Sequence, residues 1–398
     1  MKNRYLRIQT NYYKIVDRPN LDGTTTQVLT KWQRKTILED HGKEFLKDIP
    51  KYDGFVTKPS HVNYQLEIGT HYNNYHKIEG DVKQGNFETT ESFLKQIFKD
   101  QYPLFLDYLS LLWCKPLHIL PILCLVSKER ETGKTTFLNW IKSIFQQNMK
   151  ILRTEDLRSN FNSDWADRLI IAIDEAKFAK PSDSEIIKNL STARHSNKEG
   201  KGKDRYEIPF FGKFIITSNH NSDFVLIDPE EIRYWVVELE KPTFKIADFE
   251  EKLKAELPAI KYYIQNRKIR TKPKGRMWFS KEDIHTEALD RVVKGSNMSL
   301  EKEFAAILLH KLEDVEVEEI KFTLTDIQDL LKERFVTKTF TQIKQVIENK
   351  WGLTVSSNST SYSYYRKIFN EYRKEWEVIR EPRKGRVYTF HKELLERL

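Results

Sequence analysis

Pro121-Ile-Leu-Cys-Leu-Val126, running on into Ser127-Lys-Glu-Arg-Glu-Thr-Gly133-Lys134-Thr135-Thr136, is the stretch on which the reading of this chain turns. Six apolar residues give way to a polar loop, and residues 135–146 then carry a helical pattern. Strand, loop, helix is the order that a phosphate-binding loop requires. The end of the loop fits G-x-x-x-x-G-K-[ST], with Lys128 standing where the pattern has its first glycine. In such a loop backbone N–H groups and a helix N-terminus face phosphate oxygens, and the helix dipole favours negative charge there. Thr132, Gly133, Lys134, Thr135 and Thr136 are therefore the expected nucleotide contacts. Gly133 permits close backbone approach, Lys134 neutralises charge on the outer two phosphates, and the Thr135 hydroxyl is a ligand for Mg²⁺. Alone, Gly-Lys-Thr-Thr also reads as a well-capped helix start.

Two further apolar runs, Leu169-Ile-Ile-Ala-Ile173 and Phe214-Ile-Ile-Thr217, lack polar alternation. That is the character of strands covered on both faces in a parallel sheet, so an α/β core is expected over residues 119–242. The first run delivers Asp174 and Glu175 at its C-terminal end, where open α/β sheets bind ligands. Asp174 is expected to hold the magnesium ion through water and Glu175 to take the proton from an attacking water; the plain alternative is a solvated strand end. The second run ends in Asn219, which either orients water near the terminal phosphate or shapes a turn. Arg233 precedes another strand-like run, Tyr234-Trp-Val-Val. It reads as an arginine finger for a neighbouring subunit's ATP or as a surface salt-bridge partner.

At 398 residues the chain is expected to form two to four domains, and its formal charge of +9 suits a polyanionic partner. Cys114 and Cys124 sit among apolar residues, as buried structural thiols do, and two such residues make neither a disulfide framework nor a zinc ribbon. No stretch has the length of a signal peptide or membrane span, which points to a cytoplasm-like compartment and no membrane partner. Residues 1–88 read as an irregular α+β region, and 89–118 as a helical collar with Thr89-Thr90-Glu91 as its N-cap. The nucleotide domain spans 119–270 and closes with a helix over 248–270; 272–276 and 295–297 read as linkers. Helical patterns at 300–312, 325–335 and 340–350 precede two alternating strands over 376–390, around a basic glycine turn carrying Arg383, Lys384 and Arg386. Residues 300–398 are thus expected to be a winged helix-turn-helix that holds duplex DNA, or a packing module.

Four segments in this order, Glu131-Thr-Gly-Lys-Thr-Thr-Phe137, Ile173-Asp-Glu175, the basic stretch 198–213, and Thr217-Ser-Asn219 followed by Arg233, resemble a superfamily 3 helicase. The closer likeness is to the helicase part of phage and plasmid primase-helicase proteins, over roughly residues 70–265. The resemblance implies an AAA+ core with a parallel sheet that uses ATP and Mg²⁺, assembles as a ring, usually a hexamer, and translocates along single-stranded DNA. In that family the segment before the Asn strand is a hairpin projecting into the central channel. Here it is Ser196-Asn-Lys198-Glu-Gly-Lys201-Gly-Lys203-Asp-Arg205. Lys198, Lys201, Lys203 and Arg205, interleaved with two glycines, suit a tip that grips phosphates without reading bases, or else form an ordinary solvated loop.

Many relatives carry two adjacent arginines where this chain has Arg233 and Tyr234. The helicase portion begins too early to leave room for a primase domain, so no primer synthesis is expected. The setting implied is replication of a phage or mobile element in a bacterial or phage-infected cell. Two competing readings are an ATP-gated DNA-binding switch that does not unwind, and a small-molecule kinase, which would leave the basic loop without a role.

Overall fold

Strands without polar alternation have no face to offer to solvent, and in this computed structural model they lie inside a parallel sheet. The structure describes residues 4–397 apart from 21, 22, 24, 160, 179, 180, 203, 228–230, 243–247, 334–337, 371, 372 and 374. Seven strands matter for the site: β1 (Ile122–Val126), β2 (Met149–Leu152), β3 (Ile170–Ile173), β4 (His195–Lys198), β5 (Tyr206–Pro209), β6 (Lys213–Ser218) and β7 (Tyr234–Glu238). Five of them form one sheet in the order β7-β1-β6-β3-β2, with all neighbours parallel. The fold class is therefore mixed α/β with a parallel sheet. Register aligns the strand ends: Ser218 lies opposite Val126, and Ile173 opposite Ile216. The chain leaves β1, β3 and β6 at the same edge.

The chain divides into two compact units, one of residues 1–178, 182–224 and 231–289, the other of 179–181, 225–230 and 290–398. In the first unit the sheet is covered by helices Glu88–Phe98, Tyr102–Cys114, Lys134–Phe145 and Leu257–Asn266. Their apolar faces meet in one core, where Phe98 stacks on Phe105 at 3.9 Å between ring centroids and both rings pack on Phe137. A four-stranded sheet (Tyr5–Ile8, Asn11–Pro19, Thr25–Trp32, Lys51–Tyr52) precedes this core and has a small core of its own around Tyr5, Ile37 and Ile49. Asn148 ties the intervening segment down by exchanging two hydrogen bonds with the His76 backbone, at 3.0 and 2.7 Å. Cys124 is buried as expected, whereas Cys114 is only half-buried.

Three expectations need correction here. The first collar helix begins at Glu88, so Thr89 and Thr90 are inside it and do not cap it. Their backbone N–H groups donate instead to the Glu256 carboxylate at 3.0 and 2.7 Å. The helix expected over 248–270 is two helices, Phe249–Ala255 and Leu257–Asn266, because Pro258 has no N–H to continue the first ladder and suits the first turn of the second. The linker at 295–297 is helical, inside Glu287–Asp314, and Ser296 donates back to the Val292 carbonyl at 2.8 Å.

The second unit has a core of its own, built on Phe304, Leu312, Phe322, Ile347 and Phe390. Its helices Leu324–Glu333 and Phe340–Lys344 fall where the periodicity places them. The strand pairing does not follow expectation. Glu375–Gly385 pairs antiparallel with Thr360–Asn370 over eleven residues, while Tyr388–His391 pairs with Glu319–Phe322. Arg383 therefore lies in a strand. Its guanidinium, half-exposed, bonds buried Asp326 and sits 3.6 Å above the Tyr364 ring, so it ties the strand to the helix Leu324–Glu333.

Candidate functional site

The loop after β1 is held by its own side chains. Ser127 is buried; its hydroxyl donates to the Glu129 carbonyl at 2.7 Å and meets Thr132 Oγ1 at 3.1 Å. Lys134 Nζ donates to Ser127 Oγ and, at 3.5 Å, to Thr132 Oγ1. The left-handed backbone falls at Glu131 (φ 61°) and Gly133 (φ 90°), and Lys128 is not among the described residues of positive φ. A side chain is thus tolerated where the pattern has its first glycine. At Gly133 it is not: besides the φ, an added Cβ would come within 3.2 Å of the Phe93 ring.

Across the sheet edge, Thr217 is fully buried and joins the two carboxylate residues. Its hydroxyl donates to Asp174 Oδ1 and accepts from the Glu175 backbone N–H at 3.2 Å. Glu175 N–H also reaches Asp174 Oδ1 at 3.1 Å, and Glu175 has φ 52°, a strained value for a residue with a side chain. Burial lowers the Lys134 ammonium pKa from its ordinary value, and the nearby Asp174 and Glu175 carboxylates oppose that shift. One cation and two acids thus share the edge. Asn219, exposed, follows β6 by one residue, next to Ser218, which lies opposite Val126 in the register.

Thr135 is exposed at the start of the helix and Thr136 half-buried. Among the described residues no group of three or more His, Cys, Asp or Glu could hold a metal. A hydroxyl and one anchored carboxylate are hard oxygen donors that suit Mg²⁺, which takes few protein ligands and completes its shell with phosphate and water. Thr135 and Asp174 fit that pattern.

Arg233 stands apart. It precedes β7, whose first residue Tyr234 lies opposite Ile122, so it sits at the other edge of the sheet, about 16 Å of strand from the loop. Its guanidinium binds both oxygens of buried Glu231, at 2.8 and 2.7 Å, and Glu231 also meets Lys188 at 3.3 Å.

The basic segment forms the antiparallel hairpin β4–β5. Lys198 is not at its tip. Its ammonium pairs with buried Asp167 at 2.6 Å, while Asn162 bonds the Asn197 carbonyl and the Glu199 N–H. Lys201 and Arg205 are exposed, and Gly202 between them has φ 70°. Lys203 lies outside the described residues. Thr217, Ser127 and Asp167 are the contributors that sequence reasoning missed: Thr217 and Asp167 act through partners distant in sequence, and Ser127 through Thr132 and Lys134 of its own loop.

With this geometry in view, comparisons bear on the fold. Residues 125–233 match a family of unknown function, DUF5906, over less than half of the chain. No curated protein matches the sequence. The apo structure of the NrS-1 C-terminal region (305–718) aligns with 96% of this chain and 95% of its own, at TM-score 0.57 and 15% identity. The A form of the same region covers 89% and 94%, at TM-score 0.55 and 16% identity. At such identity the likeness is one of fold. A JCV helicase aligns over 55% of this chain and 62% of its own at 14% identity, but its TM-score of 0.33 is too low to carry an argument.

Proposed function

We propose that this chain is an ATP-dependent DNA helicase of the superfamily 3, AAA+ type, with residues 119–270 as its ATPase domain. It works as a ring, a hexamer by analogy with that family, drawing single-stranded DNA through a channel during replication of a phage or mobile element. The observation that most supports the reading is the convergence of three strand ends at one sheet edge: the loop before Lys134, the Asp174–Glu175 pair and Asn219.

In this mechanism Thr132, Gly133, Thr135 and Thr136 offer backbone groups to the phosphates at the helix N-terminus, and Lys134 leaves its loop hydroxyls to neutralise them. Thr135 and Asp174 would hold Mg²⁺, which supplies further neutralisation when bound. Glu175 accepts the proton of the attacking water, and Asn219 orients that water. Arg233, remote from its own chain's loop, suits a role on a neighbour's nucleotide. Lys201 and Arg205 at the hairpin tip grip the strand through its phosphates, with Lys203 between them, and Lys198 braces the hairpin base. The second unit, whose helices include Leu324–Glu333 and Phe340–Lys344 beside a long hairpin, is assigned to duplex DNA as a winged helix.

ATP hydrolysis measured with and without single-stranded DNA tests this. Lys134→Ala is expected to lower turnover at least about a hundredfold in both conditions, and Lys201→Ala to lower mainly the stimulation by DNA. Full stimulation in the Lys201 variant would remove the hairpin assignment. Full hydrolysis in the Lys134 variant would remove the nucleotide site.

A further inference from the structure

Away from the hairpin, the first unit carries a cleft of about 840 Å³ whose lining includes four basic residues and no acidic one. One wall is aromatic: Phe87 and Tyr263 meet at 5.0 Å between centroids, and Tyr262 stands beside them. Residues 267–270 and 272, which follow helix Leu257–Asn266, also line the cleft. Exposure along the segment 267–272 alternates strictly, with Lys268, Arg270 and Lys272 outward and Arg267, Ile269 and Thr271 inward. Outward residues two apart in an extended chain stand about 6.6 Å from one another, a spacing of the order of the phosphate repeat in an extended single strand.

The segment is fixed from beneath. Asp107 is 1% exposed, pairs with Arg267 at 3.0 Å and accepts from the Arg270 and Thr271 backbone N–H groups, both at 2.9 Å. Arg267 also donates to the Tyr263 hydroxyl at 2.8 Å, which holds that ring in place. Arg267 is thus neutralised, whereas Lys268, Arg270 and Lys272 have no ion pair among the described residues. A row of unpaired cations on a braced backbone, lining one cleft together with aromatic rings, is the arrangement by which proteins hold unpaired bases without reading sequence.

We infer that this cleft is a second binding site for single-stranded DNA, with phosphates along Lys268, Arg270 and Lys272 and a base stacked on Tyr262 or Phe87. It shares with the proposed function only the premise that the partner is a nucleic acid. The site is independent of the hairpin and of ATP.

The test is fluorescence anisotropy of the full chain with a labelled oligodeoxythymidylate, without nucleotide, across a salt series. Changing Lys268, Arg270 and Lys272 together to Ala is expected to weaken binding at least about tenfold and to flatten the salt dependence by roughly two units of slope. Tyr262→Ala is expected to weaken it about five- to a hundredfold. Both variants should keep the wild-type melting curve and DNA-free ATP hydrolysis, since the changed side chains are surface groups outside the nucleotide site. Wild-type affinity and slope in the triple variant would overturn the inference, as would complete loss of binding in Lys201→Ala alone; that second result leaves the helicase reading intact. A chain that binds through the cleft yet hydrolyses no ATP would keep the inference and remove the proposed function.

Discussion

Thr217 links the two carboxylate residues from a fully buried position, and its contribution is separable from theirs. Thr217→Val keeps the shape and removes the hydroxyl, leaving Asp174 Oδ1 and the Glu175 N–H with one partner fewer. The expected cost is about 1–3 kcal/mol of stability, read by urea denaturation. ATP turnover should fall with little change in KM, because the lost bonds orient carboxylates and do not bind nucleotide. Unchanged turnover would make Thr217 a packing residue only. The position of Asp174 and Glu175 at a strand end was legible because two acids end an apolar run, but the Thr217 link between them was not, since its partners are set by register between strands. Lys128 teaches the converse. A glycine pattern stands for backbone angles, and here the left-handed angles fall at Glu131 and at the pattern's second glycine, Gly133, and not at Lys128.

Element starts and strand partners were harder to read than the elements themselves. The helix Glu88–Phe98 was legible from its periodicity, yet its cap comes from Glu256, 166 residues beyond Thr90. Glu256→Ala is expected to destabilise the first unit by about 1–2 kcal/mol, measured by thermal or urea unfolding. No loss would mean that solvent satisfies those N–H groups. The C-terminal strands show the same limit. Alternation marked both of them, but the partner of Glu375–Gly385 is Thr360–Asn370, a stretch whose tyrosines and serines alternate without a strong apolar face. Local pattern gives an element's type, while pairing depends on which surfaces meet in the core.

For the molecule as a whole, three apolar runs were enough to foretell a parallel α/β core, and the edge strand Met149–Leu152 was missed for being short and mixed. The small sheets before residue 74 had no comparable signal, since their strands are short or half-exposed. The first unit also sets a pH dependence. Burial lowers the His61 pKa to about 3, only partly offset by a Leu112 backbone bond; His76 is lowered to about 4 by burial first and then by Arg168. Both rings stay neutral in the fold while the unfolded chain protonates near 6.5, so their contribution is complete above that pH and is lost as pH falls through about 4 for His76 and about 3 for His61. Lowering the pH from about 7.5 to 5.5 should cost about 1 kcal/mol per ring in urea unfolding, and His61→Phe should halve that loss. In the proposed mechanism the segments at 134, 174 and 219 serve one nucleotide. A crystal structure with a non-hydrolysable ATP analogue and Mg²⁺ tests it most directly. The predicted result is a terminal phosphate within hydrogen-bond reach of Lys134 and Asn219, with Glu175 one water away; a triphosphate bound elsewhere, or touching only one of these segments, would contradict it.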